Sequence, residues 1–202
     1  MKLYNLSGGM NPRRVRIFLA EKGIELPLVE IDMMKGENKS PEFLAINPMG
    51  TLPVLELDDG TILAESVAIC RYLEETHPEP PLFGRTTLER ARVEMWNRRM
   101  EIELLAPIAE AFRHTNDFWK GRLPQVPEYG AVSRDKALQR MGWLDTELVD
   151  RNFIATDDYT VADITLQCAL LLGKNTGTKI PEELENLTRW WQSVTARPTA
   201  RA

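Results

Sequence analysis

The chain is 202 residues long, 43% hydrophobic and 27% charged, with a formal net charge of −5, a balance ordinary for a globular protein in water. That acidity excludes a nucleic-acid partner, which requires basic side chains to displace counterions from phosphates. Two cysteines without Cys-x-x-Cys spacing and two well-separated histidines make neither a disulfide framework nor a metal-ligand pattern, so no metal is expected and the compartment that fits is a reducing cytoplasm. The opening Met1-Lys2-Leu3-Tyr4 leads into no sustained apolar stretch, so no secretory signal is expected. The longest apolar run, Cys168 to Leu172, is far too short for a bilayer span, and no membrane partner is expected.

Lys2 to Leu6 alternates and runs into Ser7-Gly8-Gly9, which predicts a strand ending in a tight loop. Asn11-Pro12 then has the form of an N-cap followed by proline at the first helical position, with Val15, Phe18 and Leu19 at helical spacing and Gly23 as the stop. Pro27 to Asp32 reads as a second strand, and Ser40 to Ile46 as a short helix with Pro41 at its first position. Pro53 to Leu57 and Thr61 to Leu63 flank Asp58-Asp59-Gly60, a strong hairpin signal, and a helix follows from Glu65 with Cys70 packed inside it. Strand, helix, strand, helix, hairpin, helix is the plan of a mixed sheet with helices against it: a thioredoxin-like α/β domain over residues 1–77.

His77-Pro78-Glu79-Pro80-Pro81 breaks the pattern, because each proline excludes helix from the residue before it, and residues 78–86 read as a linker. Beyond it, residues 87–202 carry an all-helical domain. Its expected helices are Thr87 to about His114, bent at Pro107; Ser133 to Asp150; one opened by the capping box Thr160-Val161-Ala162-Asp163, with Tyr159 and Ile164 as hydrophobic staple; and a last one from Pro181 or Leu184 to Ala196.

Two stretches carry chemistry. Glu65-Ser66 opens a helix, whose unpaired N–H groups and positive dipole end hold a carboxylate while the acid pairs with an ammonium group; taken alone, the pair is also an ordinary acidic first turn. Leu52-Pro53 lies at the start of a strand, and a cis bond there turns the Leu52 N–H and C=O outward to pair with an extended peptide. Lys39, just before a helix, is placed to meet a terminal carboxylate or to sit in solvent.

The ordered set Gly50-Thr51-Leu52-Pro53-Val54-Leu55, Asp59-Gly60 and Glu65-Ser66-Val67-Ala68-Ile69 resembles the glutathione-binding signature of cytosolic glutathione transferases. Thr160-Val161-Ala162-Asp163 is similar to that family's helical-domain capping box, and the likeness spans essentially the whole chain. The resemblance implies glutathione as co-substrate, with Leu52 pairing with its cysteinyl part, Pro53 as the cis proline, Glu65 and Ser66 on the γ-glutamyl end, Lys39 on the glycyl carboxylate and Thr51 bordering that site. It also implies a homodimer and conjugation of the glutathione thiolate to a small hydrophobic electrophile, as in detoxification. A carrier or interaction module with little turnover, or a glutathione-dependent peroxidase or isomerase, are the alternatives.

Most members place a Tyr, Ser or Cys just after the first strand; here Gly9 or Met10 holds that position, with Ser7 before it. Gly8 to Gly23, Lys35-Gly36-Glu37 and Leu55 to Thr61 resemble a fungal and bacterial subgroup that lacks such a residue. In its fungal members a helix N-terminus lowers the thiol pKa, and a helical-domain Ser and His position a water. Those two positions fall on Ala109 and Arg113, with His114 adjacent. The catalytic candidates are therefore Asn11, with Arg13 as second backbone donor, Ser7 and His114, with charge from Arg13, Arg14 or Arg113. Met10, Phe112, Phe118 and Trp119 are the candidates for the second-substrate pocket.

Overall fold

A computed structural model describes the whole chain, Met1–Ala202, and divides it into two compact units: Met1–Pro81 with Arg201–Ala202, and Leu82–Ala200.

In the first unit β1 (Lys2–Asn5), β2 (Leu28–Glu30), β3 (Val54–Glu56) and β4 (Ile62–Ala64) form a four-stranded sheet in the order β2-β1-β3-β4. β1 and β2 are parallel, joined through α1 (Met10–Lys22), and β1–β3 and β3–β4 are antiparallel. This is the thioredoxin-like arrangement. Because side chains alternate across a sheet, Tyr4 and Val54 face one side, packing with Phe43 of α2 (Pro41–Ile46) and Leu52. Leu3 and Leu55 face the other, where Val15 and Phe18 of α1 and Ile69 and Leu73 of α3 (Ser66–Thr76) are fully buried. The hairpin turn closes with the Leu57 N–H donating to Thr61 at 2.9 Å and the Asp59 carboxylate accepting from the Thr61 N–H at 2.9 Å. α1 ends at Gly23 in the left-handed conformation (φ 65°), and α2 is capped by Ser40, which accepts from the Phe43 N–H at 3.2 Å.

One boundary in this unit differs from expectation. α1 begins at Met10, with Gly9 and not Asn11 as N-cap, and Asn11 and Pro12 fall inside the first turn. The proline is tolerated there because the first-turn N–H groups have no helical partner to lose.

The second unit is helical: α4 (Thr87–Met100), α5 (Ala106–Thr115), α6 (Pro127–Glu147), α7 (Val161–Thr176) and α8 (Glu185–Thr195). The expected single helix around Pro107 is realised as α4 and α5 joined by a π turn, Glu101–Leu105, that ends just before the proline. A widened turn accommodates a ring that would otherwise press on the carbonyl four residues back. α6 starts six residues earlier than the expected Ser133, on Pro127 at its first position. Its Gly130 permits close approach to α5, since a Cβ there would stand 2.5 Å from the Thr115 methyl.

α7 is buried along its whole first half, and the capping box at its start is present. The Asp163 carboxylate accepts from the N–H of Thr160 (2.9 Å), the Thr160 hydroxyl (3.0 Å), the Ile154 N–H (2.9 Å) and the Trp190 indole of α8 (3.0 Å). Burial pushes this carboxyl above the ordinary aspartate range despite those bonds. No helix is long and apolar enough to cross a membrane.

Candidate functional site

The sheet register determines where the site lies. Tyr4 pairs with Val54 and Val54 with Ala64, in one row across three strands. β1 therefore ends, β3 begins and β4 ends at the same end of the sheet. From that end emerge the Leu6–Gly9 loop with the α1 N-terminus, the Leu52-Pro53 peptide and Glu65-Ser66. Three segments far apart in sequence become neighbours.

Leu52-Pro53 is cis. The ladder starts at Val54, so the Leu52 N–H and C=O take no part in strand or turn bonds. The segment leading to it is held by two asparagines the sequence reading did not single out, each only 4% exposed. Asn38 donates to the Gly50 carbonyl at 2.8 Å, and Asn47 donates to the Thr51 carbonyl at 2.9 Å and accepts from the Met49 N–H at 3.2 Å. Gly50 (φ 62°) is required here: a Cβ would meet the Asn38 carbonyl at 2.7 Å and the Lys39 ammonium at 2.8 Å. The exposed Lys39 thus lies over Gly50, its Nζ 3.4 Å from the Met49 carbonyl, beside the exposed Thr51.

Glu65 is the one non-glycine residue with positive φ (66°), and it is the N-cap of α3 without a side-chain capping bond. Backbone strain of this kind costs about 1–3 kcal/mol and persists where the surrounding structure over-determines it. The result is an exposed carboxylate beside the open end of α3. Ser66 is buried behind it, its hydroxyl accepting from the Arg14 guanidinium at 2.7 Å. Arg14 is only 1% exposed. It lies inside the unit, tying α1 to the start of α3.

The loop after β1 presents an uncapped helix end. Gly9 brings no side chain to cap α1, and its own N–H donates to Leu6 at 2.9 Å. The expectation that Arg13 supplies a backbone donor is corrected, since its N–H is consumed by the Gly9 carbonyl at 3.0 Å. With Pro12 lacking an N–H, Met10 and Asn11 carry the available donors, because the chain makes no other use of theirs. Ser7 is exposed, with its N–H donated to Glu30 and its carbonyl accepting from Arg16.

The remaining candidates lie in the helical unit. Phe112 stacks on Phe118 (centroids 6.0 Å apart), and Trp119 meets both edge-on at 5.8 and 5.0 Å. His114 has both ring nitrogens engaged: Nδ1 accepts from the Val126 N–H at 3.0 Å and Nε2 lies 3.2 Å from Glu110. Its ring packs edge-on to Tyr129 at 5.1 Å, so it ties the end of α5 to the start of α6. The adjacent Arg113 pairs with Glu110 at 2.7 Å.

A thioredoxin-like unit offering a cis-proline peptide outside the strand ladder and an acid at a helix start, followed by a helical unit, defines a class of glutathione-binding proteins. Comparison with known proteins places the chain within it. The family described as glutathione S-transferase, N-terminal domain, matches residues 10–76, and its C-terminal domain matches residues 124–198. Glutathione S-transferase 2 of Saccharomyces cerevisiae is 41% identical over 100% of this chain and 88% of its own length. The crystal structure of Gtt2 from that organism superposes with a TM-score of 0.94, covering 100% of this chain and 99% of the other. A Gtt2-class glutathione S-transferase of Vibrio parahaemolyticus is 37% identical with a TM-score of 0.88, over 100% and 96% of the two chains. The chain belongs to the glutathione S-transferase family.

Proposed function

We propose that this glutathione transferase activates its co-substrate through the uncapped N-terminus of α1 and conjugates the resulting thiolate to a hydrophobic electrophile. The observation that carries the reading is the single row Tyr4–Val54–Ala64, which gathers the α1 start, the Leu52 peptide and Glu65-Ser66 at one end of the sheet. Glutathione is extended and carries a charge at each end. Glu65 takes its ammonium, and the Ser66 end of α3 its γ-glutamyl carboxylate. Leu52 pairs with the cysteinyl backbone, and Lys39 with Thr51 holds the glycyl carboxylate.

The thiol then falls to the Met10 and Asn11 N–H groups. An anion is favoured at a helix N-terminus, and the thiolate, not the thiol, is the nucleophile. Sulfur attacks the electrophilic carbon, a carbon–sulfur bond forms, and the leaving group departs with its electron pair; the thiol proton has already gone to solvent. His114 takes no part in this scheme, because its Nδ1 accepts from the Val126 N–H and its Nε2 faces Glu110. Met10, at the α1 start, supplies apolar surface to the electrophile.

A homodimer is part of the proposal, supported by Leu88 (61% exposed) and Met95 (42%) seven residues apart on α4, with Ile102 (46%) continuing toward α5. A cytoplasmic, detoxifying role is also part of the proposal; Cys70 and Cys168, buried and not joined in a disulfide, agree with the cytoplasmic location. An ultraviolet titration of thiolate absorbance in the bound complex tests the activation step. A bound-thiol pKa well under the ordinary value of about 8.5 is expected. An unshifted value, or glutathione binding without turnover of any aryl halide or peroxide, rejects it. The latter outcome favours a carrier or interaction module with little turnover.

A further inference from the structure

The α1 N-terminus can stabilise a thiolate only if the loop that delivers it is held still, and Gly8 and Gly9 do not stiffen that loop themselves. A five-residue hydrogen-bonded network does. Glu30, the last residue of β2, stands opposite Asn5 in the parallel register. One carboxylate oxygen accepts from the Asn5 amide at 2.6 Å, and the other accepts from the Ser7 N–H at 2.6 Å. Arg16, on the second turn of α1, reaches back: its guanidinium donates to the Asn5 side-chain oxygen at 2.6 Å, to the Leu6 carbonyl at 3.3 Å and to the Ser7 carbonyl at 2.9 Å. Ser7 is thus gripped at both ends of its backbone by opposite charges carried on two different elements. Asn5, 1% exposed, is the shared partner that both charges orient.

We propose that Glu30 and Arg16 are positioning residues for thiol activation: together they fix the Leu6–Gly9 loop so that the Met10 and Asn11 N–H groups converge on the sulfur. The inference rests on the activation route of the preceding subsection. Charge-assisted bonds are suited to the task, being shorter and stronger than neutral ones. Burial alone would push the Glu30 carboxyl up, but the Ser7 N–H, the Asn5 amide and the Arg16 charge outweigh it and hold the acid below its ordinary value of 4.5, so the clamp stays charged at neutral pH.

The sign of the effect separates positioning from a bare charge effect. Neutralising an anion near a thiolate lowers the thiol pKa by Coulomb's law. Loosening the loop raises it. Glu30→Gln does both, since an amide cannot accept two N–H bonds through its two ends. Arg16→Lys keeps the positive charge but loses the fork that spans Asn5 and Ser7.

The test is the bound-thiol pKa by ultraviolet titration, with kcat/KM against pH and thermal unfolding measured on the same samples. In Glu30→Gln and in Arg16→Lys the bound-thiol pKa is expected to rise by about half to one unit, with about a three- to tenfold fall in kcat/KM below that pKa. Glutathione KM is expected to change little. An unshifted thiol pKa in a folded variant, or a lowered one in Glu30→Gln, overturns the proposal; a drop in melting temperature alone does the same, as the mark of a purely structural role. If Glu30→Gln fails to fold, Arg16→Lys decides the matter by the same readout. An ordinary thiol pKa in the unaltered protein would instead reject the activation route itself.

Discussion

The starts of α1 and α7 are built to opposite purposes. α7 is sealed: four donors converge on the Asp163 carboxylate, and every residue from Val161 to Leu170 is buried. α1 is left open: its N-cap is a glycine with no side chain to offer, and one of its first-turn positions is a proline with no N–H. The same four orphan donors that every helix carries are a liability in a core and a binding site at a surface. Stability is therefore concentrated at the α7 start, and the proposed thiol activation at the α1 start.

Removing the seal should have the largest effect. Asp163→Ala leaves four buried donors without their acceptor and is expected to cost about 4 kcal/mol of unfolding free energy, read by denaturant titration. A loss under 1 kcal/mol would mean that water replaces the carboxylate, and the contrast between the two helix ends would fail.

Arg14→Leu is intermediate, because it strips the buried support from the start of α3. Loss of a charged hydrogen bond to Ser66 is expected to cost about 2 kcal/mol in stability and to raise KM for glutathione with a smaller change in kcat. Unchanged KM would show that Ser66 is held without it.

Gly9→Asp converts the open end into a sealed one. A carboxylate at the N-cap competes for the Asn11 N–H and repels a thiolate, so kcat/KM should fall about tenfold, equivalent to about 1.4 kcal/mol. Stability should shift by less than about 1 kcal/mol, the gain from capping being opposed by a Cβ only 3.0 Å from the Pro12 ring. Undiminished turnover would place thiol activation elsewhere.

The smallest effect concerns acid. Glu30 is held below its ordinary value of 4.5, so the unfolded chain binds the extra proton first, and the clamp's contribution is present above that value and lost as pH falls through the lower folded one. Because the carboxylate is largely in solvent, this should amount to well under 1 kcal/mol, seen as a shallower acid limb in the Glu30→Gln melting profile.

Local signals carried much of this. Gly23, Ser40-Pro41, Asp59-Gly60 and Thr160 to Asp163 each state their role within four residues, because caps and turns are short-range hydrogen bonds between near neighbours. Leu52-Pro53 and Glu65-Ser66 were legible through the spacing that the family signature imposes. Asn38 and Asn47 were not, because a polar residue in a loop reads as solvated until its burial is known. The start of α1 was misplaced because Asn-Pro is a sound cap signal that a neighbouring glycine displaced.

By itself the chain's order of residues determined which elements form, where the helical half begins to dominate and that glutathione is the expected co-substrate. Only the tertiary structure decided that Arg14 is buried against Ser66, that the Arg13 N–H is already used, and that His114 is occupied. It also decided that Glu30 and Arg16 meet across Ser7. The reason is distance along the chain: Arg14 and Ser66 are separated by 52 residues, and Glu30 and Ser7 by 23. No local propensity reports a partner that only sheet register brings within reach.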